Sequence, residues 1–105
     1  MAKLKPVHPG EILREEFMEP LKLNPHKLAL VLRVAAPGIY EIVNEQRAIS
    51  TEMALRLARF FRTTPEFWMN LQTHYDLEIV RDEDQRRIEQ EIRPIEAAPA
   101  LPPTT

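Results

Sequence analysis

The sequence predicts an all-α fold, and three observations support this fold class. Apolar residues recur at spacings of three and four over most of the first three quarters of the 105-residue chain. Two helix starts are marked by a capping residue followed by proline, at Asn24-Pro25 and Thr64-Pro65. No segment shows the strict alternation that is typical of a strand. With 44% hydrophobic residues, the chain has enough apolar material for the core of one domain.

The first three predicted helices follow one another closely. Helix 1 begins after a turn in which His8 is expected to act as a turn or capping residue, and it is stopped by Pro20. Helix 2 begins at the Asn24 cap. A break at Arg33 and Val34 separates it from a short helix 3 that ends near Asn44. Apolar residues at helical spacing form the inner faces: Ile12, Leu13 and Phe17; Leu28, Ala29 and Leu32; Ile39, Ile42 and Val43.

Two further helices complete the predicted domain. Ser50 is a suitable N-cap for helix 4, and Glu52 in the first turn suits the helix dipole. Helix 4 turns Ala54, Leu57, Ala58 and Phe61 inward, while Arg56, Arg59 and Arg62 are expected to face outward. Helix 5 opens after Thr64 and carries a stripe that serves the core, a dimer interface or both: Phe67, Trp68, Leu71 and Tyr75.

The C-terminal segment, residues 81–105, is expected to be a charged extension followed by a flexible tail. Eight of the eleven residues from Arg81 to Glu91 are charged, and Glu83 and Arg87 have the i, i+4 spacing of a helix-supporting pair. This stretch is either an exposed helix or a segment without order. The last twelve residues contain four prolines and cannot continue a helix. The main domain is therefore assigned to residues 7–80.

Charge and composition exclude several classes of function. Residues 1–64 carry ten basic and seven acidic side chains, a net charge of +3, whereas residues 65–105 carry four and nine, a net charge of −5. The absence of cysteine excludes disulfides and thiolate metal sites. Neither a transmembrane segment nor a signal peptide is recognised, so a cytoplasmic protein is expected. No histidine pair or acid-base constellation accompanies the carboxylates, so we expect no metal, no cofactor and no enzyme.

Helices 2 and 3 have the spacing of a helix-turn-helix motif, over about residues 25–44. Ala29 supplies the small residue needed where the second helix crosses the first. Val34 falls in the turn, and Ile39 and Ile42 follow Ala29 by ten and thirteen residues. An ordinary helical hairpin has the same inward apolar positions, so the spacing alone leaves both interpretations open.

Three sequence blocks give this motif a family context. HPGEILREEF at 8–17, EIVNEQRAIS at 41–50, and MALRLARFF followed by TPEFWMNLQTHYDL at 53–77 resemble the HigA-type antitoxins. These proteins, also described as plasmid-maintenance antidote or VapI-like proteins, are members of the Cro/CI-type (XRE) helix-turn-helix group. The resemblance covers about residues 7–80. It implies a five-helix domain, a homodimer that binds a palindromic operator in its own promoter, and neutralisation of a HigB-type, RelE-like ribonuclease toxin.

This resemblance places the second helix of the motif in the major groove of double-stranded DNA. Asn44 is expected to pair with an adenine edge, or instead to cap the helix, and Tyr40 to contact a thymine methyl group or a phosphate. For Lys27, Arg33 and Arg47 the alternative to a phosphate contact is ordinary solubilising charge. The groove-facing positions are Ala36, Pro37, Tyr40, Glu41 and Asn44, and the expected phosphate contacts are Asn24, His26, Lys27, Arg33 and Arg47.

The sequence departs from many relatives at the motif itself. Pro37 and Gly38 replace a polar residue and an arginine early in the recognition helix, which removes donors where base reading is expected. Arg33 and Glu45 stand where glycine is common, and a left-handed conformation there costs a non-glycine residue roughly 1 kcal/mol. The poor donor set of helix 3 leaves open a protein-interaction module that has lost specific DNA binding. A stand-alone XRE-type regulator also stays open, because one chain does not reveal a toxin partner.

Overall fold

The computed structural model describes residues 5–96, in which five helices and no strand are present. The all-α, five-helix prediction is confirmed. The nine residues from 97 onward, which hold most of the predicted flexible tail, lie outside the described part. We number the helices α1 (an α-helical turn, Pro9–Ile12, continued by a π-helical segment, Leu13–Met18), α2 (Pro25–Leu32), α3 (Ala36–Val43), α4 (Thr51–Phe61) and α5 (Pro65–Glu91).

Helix α1 begins at a capped turn that presses its backbone onto α3. His8 is buried, and its Nδ1 accepts a hydrogen bond from the Gly10 amide at 2.8 Å, so the predicted capping role is confirmed. A Cβ atom at Gly10 would lie 1.8 Å from the carbonyl oxygen of Ile42. Only glycine allows this approach, because any side chain would push α1 away from α3.

The helix-turn-helix motif follows the predicted pattern closely. Asn24 caps α2 by accepting a hydrogen bond from the Lys27 amide at 2.7 Å. Ala29 is buried on the inner face of α2. Arg33 and Glu45 adopt left-handed conformations, with φ of 58° and 63°, as expected from their positions after α2 and α3. Lys22, in the turn after α1, and Arg62, at the end of α4, are also left-handed, and neither was expected from the sequence. All four residues adopt this conformation without being glycine.

Two arginines bond to the carbonyl ends of the motif helices. Arg14 of α1 donates to the carbonyl of Val43 at the end of α3. Arg56 of α4 donates to the carbonyl of Leu32 at the end of α2, at 2.8 Å. The expectation that Arg56 simply faces outward is wrong. The last carbonyls of a helix have no partner within it, and a guanidinium from a neighbouring helix satisfies them.

Helix α5 closes the core. Trp68 is fully buried, and its indole nitrogen donates to the Thr63 hydroxyl at 2.8 Å. Phe17 packs on Trp68 with ring centroids 4.9 Å apart. Buried Gln72 accepts from the Ile49 amide at 2.7 Å and so fixes the loop between α3 and α4. The core therefore joins α1, the motif and α5 into one unit.

The second half of α5 continues without a break from Val80 to Glu91, so the charged stretch is the exposed helix. The boundary expected at residues 80 and 81 lies inside this helix. The sequence suggested a pair between Arg87 and Glu83. In the structure Arg87 instead pairs with Asp84 at 3.2 Å and with Glu91 at 3.3 Å. Within residues 5–96, no helix has the length and apolar character needed to cross a bilayer.

The buried cap at His8 predicts a pH dependence of stability. Burial lowers the pKa of His8 below its ordinary value of 6.5, and the carboxylates of Glu45 and Asp76 offset part of this effect. The unfolded chain therefore takes up a proton at higher pH than the folded chain. We expect this contribution to the free energy of unfolding to be complete above pH 6.5 and to be lost as the pH falls below 6.5.

Denaturant unfolding at a series of pH values checks this expectation. His8→Asn is the matched variant, because asparagine is a common N-cap and does not titrate in this range. The variant should lose less stability than the native protein as the pH falls below 6.5. Equal losses in the two proteins would assign the effect to other groups.

Candidate nucleic-acid interface

Helix α3 presents one face to the exterior and buries the other. Ile39 and Ile42 are fully buried, which fixes the rotation of the helix. The exposed side carries the groove-facing positions of the sequence analysis: Pro37, Tyr40 and Asn44 are exposed, Glu41 is partly exposed, and Ala36 packs partly against the core. The structure thus places these residues on one accessible helix face.

Arg47 lies across the beginning of α3. Its Nε atom is 3.0 Å from the Glu41 carboxylate, and a Cβ atom at Gly38 would lie 3.4 Å from its Nη1. The Arg47 guanidinium therefore lies close to Gly38, at a distance that would also accommodate a methyl group. The pairing offsets the charge of Glu41, which would otherwise repel a phosphate from this face.

Asn44 ends α3 but leaves its side chain available. Its backbone occupies the C-cap position with φ of −89° and ψ of 8°. Its amide side chain is exposed and makes no hydrogen bond with any residue in the range 5–96. The two roles considered for this residue, helix end and base contact, are therefore compatible.

The expected phosphate contacts divide into separate groups. Asn24, His26 and Lys27 are exposed together at the beginning of α2, while Arg47 lies against α3. Arg33 lies at the opposite end of α2, where it lines a groove with residues of α4. Eight helical residues span about 12 Å, so the structure does not bring Arg33 together with the α2 N-terminus.

The aromatic stripe of α5 serves mainly the core. Trp68 is fully buried, and Leu71 and Tyr75 are partly buried, with the Tyr75 ring meeting His8 edge-on at 4.8 Å. Phe67 exposes 37% of its surface while packing on Phe17 and Trp68. Of this stripe, Phe67 offers the largest accessible surface.

Sequence reasoning missed three residues that position α3. Gly10 sets the distance between α1 and α3, Arg14 binds the end of α3, and Gln72 holds the loop that carries Arg47. Gly10 had a usable signal, since it is one of only two glycines in the chain. Gln72 interrupts an apolar helix face. Arg14 had no local signal, because its partner is 29 positions away.

Comparisons with known proteins agree with the helix-turn-helix fold. A helix-turn-helix family model matches residues 15–68. Virulence-associated protein I of Dichelobacter nodosus is 48% identical over 79 residues, which are 75% of this chain and 73% of that protein. The structure of Pseudomonas aeruginosa antitoxin HigA with the higBA promoter is similar at 49% identity and a TM-score of 0.84, covering 86% of this chain and 98% of the other.

A second solved structure shows the same similarity. Antitoxin GraA in complex with its operator has 40% identity and a TM-score of 0.85, covering 92% of this chain and 98% of GraA. The family is one of DNA-binding antitoxins and regulators, not of enzymes. From the motif, the exposed face of α3 and these matches, we conclude that the chain belongs to the Cro/CI-type (XRE) helix-turn-helix family, among its HigA-type antitoxins.

Proposed function

We propose that this protein is a dimeric antitoxin that represses its own promoter and neutralises a HigB-type, RelE-like ribonuclease. The observation that carries the DNA-binding part is the exposed face of α3, with Arg47 folded across its beginning and paired to Glu41. Support also comes from the similarity to antitoxins whose structures include promoter or operator DNA. The membership of the family supports the toxin and the dimer.

Arg47 supplies side-chain hydrogen-bond donors that the beginning of α3 lacks. Pro37 and Gly38 contribute no side-chain donors, but the guanidinium of Arg47 reaches the same end of the helix from the following loop. Its Nε pairs with the Glu41 carboxylate, and its Nη1 lies close to Gly38. Arginine suits this place because its planar group contacts a phosphate or a guanine edge with paired donors.

Base recognition then falls to the outer positions of α3. Asn44 has an unused amide for an adenine edge, and exposed Tyr40 offers its ring to a thymine methyl or its hydroxyl to a phosphate. Asn24, His26 and Lys27 contact the phosphate backbone at the α2 N-terminus, where the helix dipole attracts anions.

The Arg47 assignment predicts a change in salt dependence. Arg47→Ala should weaken operator binding about tenfold and reduce the salt slope by about 1 for each protomer, because a phosphate contact is lost and Glu41 is left uncompensated. Adding Glu41→Gln to this variant should restore part of the affinity. Fluorescence anisotropy at several salt concentrations measures both quantities.

Lys5→Ala is the control for this experiment. It removes one positive charge from an exposed position that precedes α1 and lies outside α2, α3 and the C-terminal half of α5. Its affinity and salt slope should equal those of the native protein. An unchanged slope for Arg47→Ala would show that Arg47 is only a surface charge.

The antitoxin part is tested by co-expression with any small protein that is encoded next to this one. Co-purification of a small basic ribonuclease, and protection of messenger RNA by the added antitoxin, are expected. Promoter binding without such a partner would identify a stand-alone regulator. A partner without promoter binding would identify an interaction module.

A further inference from the structure

A groove between α2 and α4 combines apolar and basic side chains. It has a volume of about 940 Å³, and its exposed apolar residues are Val31, Leu55 and Phe60. Four arginines and one carboxylate, from Glu52, line the same groove, a net charge of +3. We call this surface the α2–α4 groove. The arginines are Arg33, Arg56, Arg59 and Arg62.

These arginines are only partly used within the protomer. Arg56 is held by the Leu32 carbonyl and by Glu52 at 3.4 Å. Arg33, Arg59 and Arg62 make no ion pair with any residue between positions 5 and 96. Unpaired arginines beside exposed apolar side chains are typical of an interaction surface.

The end of α5 has the complementary chemistry. Residues 77–96, which we call the arm, contain four arginines and seven carboxylates, a net charge of −3. Leu77, Val80 and Ile88 are exposed, and Leu77 lies on the side of the helix opposite buried Trp68. Ile92 and Ile95 continue this exposed apolar character beyond the helix.

The arm extends away from the domain. Its helical part, Leu77 to Glu91, is about 22 Å long at 1.5 Å per residue. The molecule measures 54 × 33 × 23 Å, with a radius of gyration of 17.5 Å against ~13 Å for a compact chain of this length. Because α5 is one continuous helix, the arm cannot bend back to the α2–α4 groove of its own protomer.

We infer that the arm of one protomer docks in the α2–α4 groove of a second copy, and that the exchange is reciprocal. The inference rests on the dimer of the proposed function and names its interface. Opposite net charges and two exposed apolar surfaces meet in this arrangement. A two-fold axis forms the contact twice, which doubles the area that each dimer buries.

DNA fits the α2–α4 groove less well. The groove lies at the end of α2 opposite the Asn24 cap, and exposed Val31, Leu55 and Phe60 give it an apolar lining. Phosphate contacts are made by charged and polar groups. DNA bound in this groove would place its phosphates against exposed apolar side chains.

Sedimentation of charge-introducing variants tests the interface. Leu55→Glu in the groove and Ile88→Arg in the arm change side chains that are 55% and 39% exposed and place like charges against each other, so both proteins should keep the native circular dichroism spectrum. Each should raise the dimer dissociation constant at least tenfold. Leu21→Glu, at a position that is 59% exposed and outside both surfaces, should leave it unchanged.

Cross-linking identifies the two partners directly. The native chain contains no cysteine, so single-cysteine variants report one position each. A mixture of Leu55→Cys and Ile88→Cys proteins, treated with a short bismaleimide, should give a covalent dimer. A mixture of Leu21→Cys and Ile88→Cys should not.

The outcomes separate this inference from the proposed function. The inference is overturned if the dimer survives Leu55→Glu and Ile88→Arg and no specific cross-link forms, whether or not the protein binds the operator. The inference is also overturned if the native protein sediments as a monomer and its arm binds only a basic partner protein. Loss of operator affinity in Leu55→Glu with the dimer intact would assign the groove to DNA instead. Specific cross-linking without operator binding would support the inference and contradict the proposed function.

Discussion

Gly10→Ala is expected to destabilise the protein by about 3 kcal/mol or more. It should also abolish operator binding at temperatures just below the native melting temperature, at which the native protein still binds. The new Cβ atom would lie 1.8 Å from the Ile42 carbonyl oxygen, and that neighbour is helix backbone with no freedom to move aside. Overpacking of a core usually costs 1–3 kcal/mol, and a backbone clash belongs at or above the upper end of this range. The melting temperature should fall by roughly 10–20 °C.

Gly38→Ala is the natural control, since the chain has only these two glycines. Its Cβ atom would lie 3.4 Å from the flexible end of Arg47, which can shift. Alanine also favours helix over glycine by about 0.5–1 kcal/mol, so this variant should keep or gain stability. Equal melting temperatures for the two variants would contradict the close packing of α1 on α3. Circular dichroism gives both melting curves.

Trp68→Ala should have an effect of similar size and should show what the aromatic stripe does. The indole is fully buried, bonds to Thr63 and packs on Phe17, and loss of such a side chain costs about 3–5 kcal/mol. The loss should be the same at all protein concentrations if it arises within the protomer. Urea unfolding at two concentrations measures it.

Phe67→Ala provides the comparison on the neighbouring residue. Phe67 is 37% exposed, so its removal should cost less stability than that of Trp68. A Trp68→Ala protein that keeps its unfolding free energy but dissociates into monomers would assign the stripe to the dimer interface. The structure predicts instead that Trp68→Ala mainly lowers the unfolding free energy, and lowers it more than Phe67→Ala does.

The helix starts could be predicted because their chemistry is local. Asn24, Ser50 and Thr64 each accept from the amide three residues later, so the residue type and the following pattern suffice. The inner faces of α2 and α3 follow from helical spacing in the same way. The left-handed ends at Arg33 and Glu45 required the comparison with glycine-bearing relatives, because nothing local favours φ above zero in these residues.

The contacts that place α3 could not be predicted, because they join distant parts of the chain. Arg14 reaches Val43, and Arg56 reaches Leu32 across 24 positions, only after the helices have crossed. The Glu41–Arg47 pair depends on the path of the loop between α3 and α4, which Gln72 fixes from α5. Charge patterns show that these residues are available, but the packing determines which of them meet.

Recognition of its own promoter by this domain can be measured in one titration. The purified protein is titrated against its upstream promoter DNA and against scrambled DNA of the same length, at two or more salt concentrations. With two cationic contacts from each of two protomers, log K should fall with log salt with a slope of about −4, and the promoter should bind far more tightly than the scrambled DNA. Equal binding of the two DNAs, or no binding, would show that the domain does not recognise its promoter.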